Sequence, residues 1–164
     1  MPLVITSATS WGEAAARVEA ALGPIDILCN NAGIIPGRFG DGTPIHLPAM
    51  AKTLWRVVIE TNLTGSFLGV RAIAPGMIAR GRGHFVNTAS MAGLIAPRGL
   101  GAYSASKHAV LGMSKALRAE LAPHGVGVSV LCPGAVESDR VATSAARHAE
   151  TPAWPSRRRR PSNS

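Results

Sequence analysis

Tyr103 and Lys107 stand four residues apart in the stretch YSASK, which also sets Ser104 and Lys107 in an S-x-x-K spacing. Two chemistries fit these residue types. At i and i+4 on a helix, a phenol and an ammonium project from one face. A free phenol titrates near ~10, and an ammonium beside a phenol favours its ionised form. A general acid/base works best with a pKa near the operating pH, so such a pair suits moving a proton to or from an oxygen. The S-x-x-K spacing instead offers Ser104 as an acyl nucleophile. Enzymes of that kind also carry S-D-N and K-T-G elements, and neither string occurs in this chain. The plainest alternative is the solvated first turn of an ordinary helix.

The elements that must position these residues can be read along the chain. PLVIT (2–6) is a short apolar stub, and SWGEAAARVEAAL (10–22) reads as a helix with Ser10 as its cap and Glu13 three residues on. IDILC (25–29) reads as a short buried strand, and the Gly/Pro-rich residues 30–50 as a loop. A long helix is expected over 51–79, with Leu54, Val57, Val58, Leu63, Phe67, Leu68 and Ile73 inward and a bend at Pro75-Gly76. GHFVNTA (83–89) is the next strand, followed by a loop to about 102 and a helix over about 103–122. VGVSVLC (126–132) is the last strand, stopped by Pro133-Gly134. Strands alternating with helices of this length imply a parallel sheet with crossover helices. The expectation is a three-layer α/β/α sandwich.

Composition narrows the function. The chain has 164 residues, 46% hydrophobic and 16% charged, which suits one globular domain. Its net charge is +8, and half of that sits in the run Arg157–Arg160. Residues 143–164 read as a disordered basic tail on a domain spanning 1–142. The body carries no basic stripe interleaved with aromatics, so nucleic acid is not the expected partner. Cys29 and Cys132 end apolar runs and read as buried packing residues; no metal spacing is present. No apolar run approaches a membrane span and no signal-peptide pattern opens the chain, so a cytoplasmic location is expected.

In open parallel sheets, ligands bind beyond the carboxyl ends of the strands. Here those ends carry NNAG (30–33), NTAS (87–90) and Pro133-Gly134, and the Tyr103–Lys107 helix follows the second of them. Asn62 lies inside the long helix, where its propensity is poor. With NNAG, NLTG around Asn62, VNTAS ending in Ser90, YSASK and CPGAV in this order, residues 3 to 140 resemble a short-chain dehydrogenase/reductase.

The resemblance implies a partial Rossmann-type, doubly wound fold and NAD or NADP as cofactor, the two not being distinguishable. The activity it implies is hydride transfer between an alcohol and a ketone or aldehyde. Tyr103 would exchange the substrate proton. Lys107 would assist it and bind the nicotinamide ribose. Ser90 would orient the carbonyl or hydroxyl, and Asn62 would anchor a proton-relaying water. Asn30, Ala32 and Gly33 would flank the cofactor, with Pro133, Gly134 and Val136 bordering the nicotinamide. MAGLIAP (91–97) would line the substrate side, favouring an apolar small molecule. The long helices would pair two copies of the chain.

The sequence also departs from that family. No glycine-rich G-x-x-x-G-x-G or G-x-G-x-x-G turn precedes NNAG, and Val4 stands where an Asp is usual. Ser138 replaces a common Thr. The expectation is a piece lacking the N-terminal glycine-rich βαβ unit and shortened at its other end, with a non-catalytic remnant or interaction module as the alternative function.

Overall fold

The computed structural model describes residues 2–36 and 45–134. The basic tail, Val136 and Ser138 lie outside the described residues. The elements are α1 (Ala8–Leu22), β1 (Ile27–Asn30), α2 (Lys52–Ile59), α3 (Gly65–Arg80), β2 (Gly83–Thr88), α4 (Gly101–Leu121) and β3 (Val126–Leu131). The three strands form a parallel sheet in the order β1-β2-β3. Its register pairs Asn30 with Asn87 and Thr88 with Leu131. That register brings the strand ends bearing NNAG, NTAS and Pro133 to one edge.

Alternation sets the buried face. Phe85 and Asn87 on β2, and Val126 and Val128 on β3, point to one side and are buried. Val70, Ile73, Ala74 and Met77 of α3 and Leu117 and Leu121 of α4 close over Phe85, Val126 and Val128 to form the core. Ala15 of α1 packs against the same cluster. On the other side of the sheet, His84 Nε2 and Ser129 Oγ share an exposed hydrogen bond of 2.8 Å. The described residues thus build the parallel sheet and the helical layer on one of its faces.

Several expectations are corrected. Helix α1 begins earlier, capped by Ser7, whose Oγ accepts from the Ser10 N–H at 3.2 Å. Ser10 is buried and accepts from the Val4 N–H at 2.9 Å, so it ties the stub to the helix rather than capping it. Strand β1 starts at Ile27 and is buried on one face only: Leu28 and Asn30 face the helices, whereas Ile27, 63% exposed, points to the sheet face that no described helix covers. Cys29 is exposed for the same reason, and Cys132 is only half-buried.

The long helix forms over 52–80 but is interrupted by a π-helical turn, Glu60–Thr64. Val57 and Phe67, neighbours of the buried Val58 and Leu68, face outward instead, 52% and 48% exposed. Pro75 sits within α3 without ending it: its exposed position lets the lost backbone bond face water.

This topology predicts a contrast in stability. Phe85 is fully buried, so Phe85→Ala should cost about 3–5 kcal/mol. Ile27→Ala, on an exposed edge, should cost under about 1 kcal/mol. Urea unfolding of both variants checks this, and equal losses would mean that the β1 edge is covered.

Candidate active site

Lys107 is the one buried cation among the described residues. It sits in the second turn of α4, is 4% exposed, and its Nζ donates to the Thr88 carbonyl at 2.7 Å. That carbonyl ends β2, so the ammonium is fixed to the sheet edge. Burial strips water from the ammonium and pushes the Lys107 pKa below its ordinary value. Nζ also lies 5.7 Å from the Tyr103 ring centroid, confirming the shared helix face. Two of its three N–H donors remain for another partner.

The loop after β1 comes down on this ammonium. A side-chain carbon at Gly33 would sit 3.4 Å from Lys107 Nζ and 3.3 Å from Asn62 Oδ1. Glycine there leaves the space above the lysine open. Asn62 is 1% exposed in the π-helical turn. Its Oδ1 accepts from the Ile34 N–H at 2.7 Å, and its Nδ2 donates to the Ile34 carbonyl and to Ser106 Oγ, both at 2.9 Å. Ser106 Oγ in turn donates to the Tyr103 carbonyl at 2.7 Å. One amide therefore joins the NNAG loop, the long helix and the first turn of α4. Both Asn62 N–H groups are committed, so a water bound at Asn62 must hang from an oxygen.

Ser90 follows β2 and caps the short turn Met91–Gly93, accepting from the Ala92 N–H at 3.1 Å. Its hydroxyl proton is not used in that bond. Gly93 lets this turn lie directly on α4, since a side-chain carbon there would sit 2.8 Å from the Lys107 carbonyl oxygen. The Met91 N–H donates to the Pro133 carbonyl at 2.9 Å, which draws the segment after β3 to the same place. Gly134 lies beside the Met91 side chain.

Gly33, Asn62, Tyr103 and Lys107 therefore converge, and backbone bonds seat Ser90, Pro133 and Gly134 along the same edge. Ala32 is exposed in the loop above. Asn30 is different: it is 7% exposed and its Nδ2 donates to Asn87 Oδ1 at 2.9 Å, below the edge. Val136 lies outside the described residues. Sequence reasoning missed Ser106 and the Thr88 carbonyl. A serine at a buried helix position is a usable signal for the first; a main-chain oxygen offers none for the second.

Comparison with known proteins gives the family. The family model for short chain dehydrogenases matches residues 1–149. The chain belongs to that family. It is 42% identical over 126 residues to Nodulation protein G of Azospirillum brasilense, covering 77% of this chain and 48% of that protein. It is 39% identical over 137 residues to the acetoacetyl-CoA reductase of Shinella zoogloeoides, covering 84% of this chain and 54% of that one. The solved structure of ElxO with NADP bound superposes with a TM-score of 0.79 at 25% identity, over 90% of this chain and 57% of ElxO. The chain thus spans about half the length of the relatives it matches.

The lysine carries a pH prediction. Unfolding returns Lys107 to its ordinary value of 10.5, above its folded value. Between the two, the unfolded chain holds more protons, so stability rises with pH across that window. Below both values the penalty for burying the charge is fully present. The urea midpoint should climb as pH approaches 10.5, and Lys107→Met should flatten that climb. An identical slope in the variant would overturn the assignment of the penalty to Lys107.

Proposed function

We propose that this chain carries the catalytic half of an NAD(P)-dependent oxidoreductase interconverting an alcohol with a ketone or aldehyde. The observation that supports it most is the Lys107 ammonium, pinned by the Thr88 carbonyl beneath Gly33 and beside the Tyr103 ring. In oxidation, Tyr103 takes the hydroxyl proton while the carbon gives up a hydride. Reduction reverses both transfers. Ser90 donates its free hydroxyl proton to the substrate oxygen. Lys107 holds positive charge beside the phenol, and a water on an Asn62 oxygen passes protons onward from the lysine.

The residues present fit the nicotinamide-ribose end of such a cofactor. Lys107 has two N–H donors to spare, and Gly33 leaves room above them. Ala32, Pro133, Gly134 and Val136 would flank it, with Asn30 acting from below through the sheet. When bound, the nicotinamide accepts or supplies the hydride. The substrate side is apolar: Met91, Leu94 and Ile95, just after Ser90, are 40%, 52% and 56% exposed. An apolar carbonyl compound or alcohol fits that surface.

The alternative reading is a non-catalytic domain. Fluorescence titration with NADH and NADPH separates the two readings, because only an enzyme requires saturable binding.

Two outcomes are expected. Tyr103→Phe keeps the ring and removes the proton donor, so turnover should fall by about 10²–10⁴. Unchanged turnover, followed by nicotinamide absorbance, would remove Tyr103 from the role. The chain should also self-associate through its long helices, since Val57 and Phe67 leave apolar surface on α2 and α3. Sedimentation equilibrium should show dimers that Phe67→Glu weakens, and a monomeric wild type would contradict this.

A further inference from the structure

The phenol of Tyr103 rides on a helix start that lacks the usual restraints. The N-cap of α4, Leu100, makes no side-chain cap bond, and the first turn holds no acidic residue. Gly99, in the left-handed region, and Gly101 flank that cap and add backbone freedom. The first turn of a helix has N–H groups without intrahelical partners, and helix ends fray. Tyr103 itself is half-buried. The bond that ties its turn to the rest of the site goes through its carbonyl, not its ring.

That bond comes from Ser106, which is fully buried. Its Oγ donates to the Tyr103 carbonyl at 2.7 Å and accepts from Asn62 Nδ2 at 2.9 Å. A serine bonded back to its own helix adds nothing to helix stability and can bend it. The bond Ser106 accepts accounts for its place better than helix formation does. The same helix carries a comparison. Ser114, also buried, accepts from Asn87 Nδ2 at 2.9 Å and donates to the Val110 carbonyl at 2.7 Å. Each serine thus links a buried asparagine to a carbonyl one turn back in α4. Only Ser106 does so at Tyr103.

We propose, resting on the oxidoreductase reading above, that Ser106 is a positioning residue for the phenol. It clamps the uncapped first turn of α4 to the Asn62 amide, and so fixes the phenol against the substrate oxygen that Ser90 also reaches. Ser106 touches neither substrate nor cofactor; it acts through the Tyr103 backbone. Asn62 already holds the loop over Lys107 through Ile34. One amide therefore locates the space above the lysine directly and the proton donor through Ser106.

Tyr103 is the only tyrosine of the chain, so ¹³C-labelled tyrosine gives the full chain one set of ring resonances, with or without turnover. Ser106→Ala and Ser114→Ala each leave an asparagine N–H buried and unpaired, so both should lower the urea midpoint. They should part company at the phenol. In the folded chain, Ser106→Ala should move or split the Tyr103 ring resonances, and Ser114→Ala should leave them in place. In turnover followed by nicotinamide absorbance, Ser106→Ala should lower kcat by about tenfold or more with KM little changed, since misplacement of a reacting group costs rate rather than binding. Ser114→Ala should change neither constant. Ser106→Cys, a side chain of similar size with a weaker donor, should give the same changes to a smaller degree and carries the test where the alanine chain does not fold. The proposal is overturned by unmoved Tyr103 resonances in the folded Ser106 variant, by an equal movement in Ser114→Ala, or by an unchanged kcat. A wild-type chain without turnover would overturn the oxidoreductase reading instead, and the tyrosine resonances would still decide whether Ser106 clamps the turn.

Discussion

The Asn62 amide is the constraint on which the site depends. It closes a two-bond ring with the Ile34 backbone and reaches Ser106 with its remaining N–H. Three segments far apart in sequence are fixed by three hydrogen bonds among five polar atoms. The loop after β1 could not otherwise lie over Lys107, because loops of Asn, Gly and Pro have little apolar surface to dock with. The π-helical turn follows from the same demand. A regular helix through residues 60–64 would turn Asn62 away by roughly a quarter of a revolution after one inserted residue. The long helix gives up regular hydrogen bonding there to aim one amide.

A second polar line lies beneath the first. Asn30 donates to Asn87, Asn87 donates to Ser114 Oγ at 2.9 Å, and Ser114 donates to the Val110 carbonyl at 2.7 Å. All three side chains are buried. An apolar trio would pack as well, but buried amides specify register, since a slip of β1 against β2 would orphan two of them. The strand ends stay level, and the groups that follow them meet. The core of Phe85, Met77 and Val126 supplies cohesion without that directional information.

The sequence made the alternating order of strands and helices legible, because apolar runs and Gly/Pro stops mark it. The Tyr103–Lys107 face was legible from spacing alone. The uncovered sheet face was not: Ile27 and Cys29 are apolar whether or not a helix lies over them, and so Cys29 was read as buried. The cap of α1 was also hidden, since Ser7 and Ser10 are equivalent in type and only the stub's turn, with the Ser7 N–H on the Val4 carbonyl at 3.0 Å, decides between them. Asn62 stood out as a poor helix former, which correctly flagged the place though not the π turn. Ser106 passed unremarked because its neighbours in YSASK carried the attention.

The two buried serines of that stretch then show how one helix serves different ends. Ser106 has both its donor and its acceptor in use, between Tyr103 and Asn62, so it stiffens the turn that carries the phenol. Ser104, two residues earlier and equally buried, has its hydroxyl unpartnered. At about 100° per residue the two side chains leave the helix on nearly opposite sides. One therefore looks inward to the amide that assembles the site, and the other to a different side of the helix. The four-residue interval that places Tyr103 and Lys107 on one face thus leaves a second, chemically distinct face on the same helix, held at fixed distance by the helix itself.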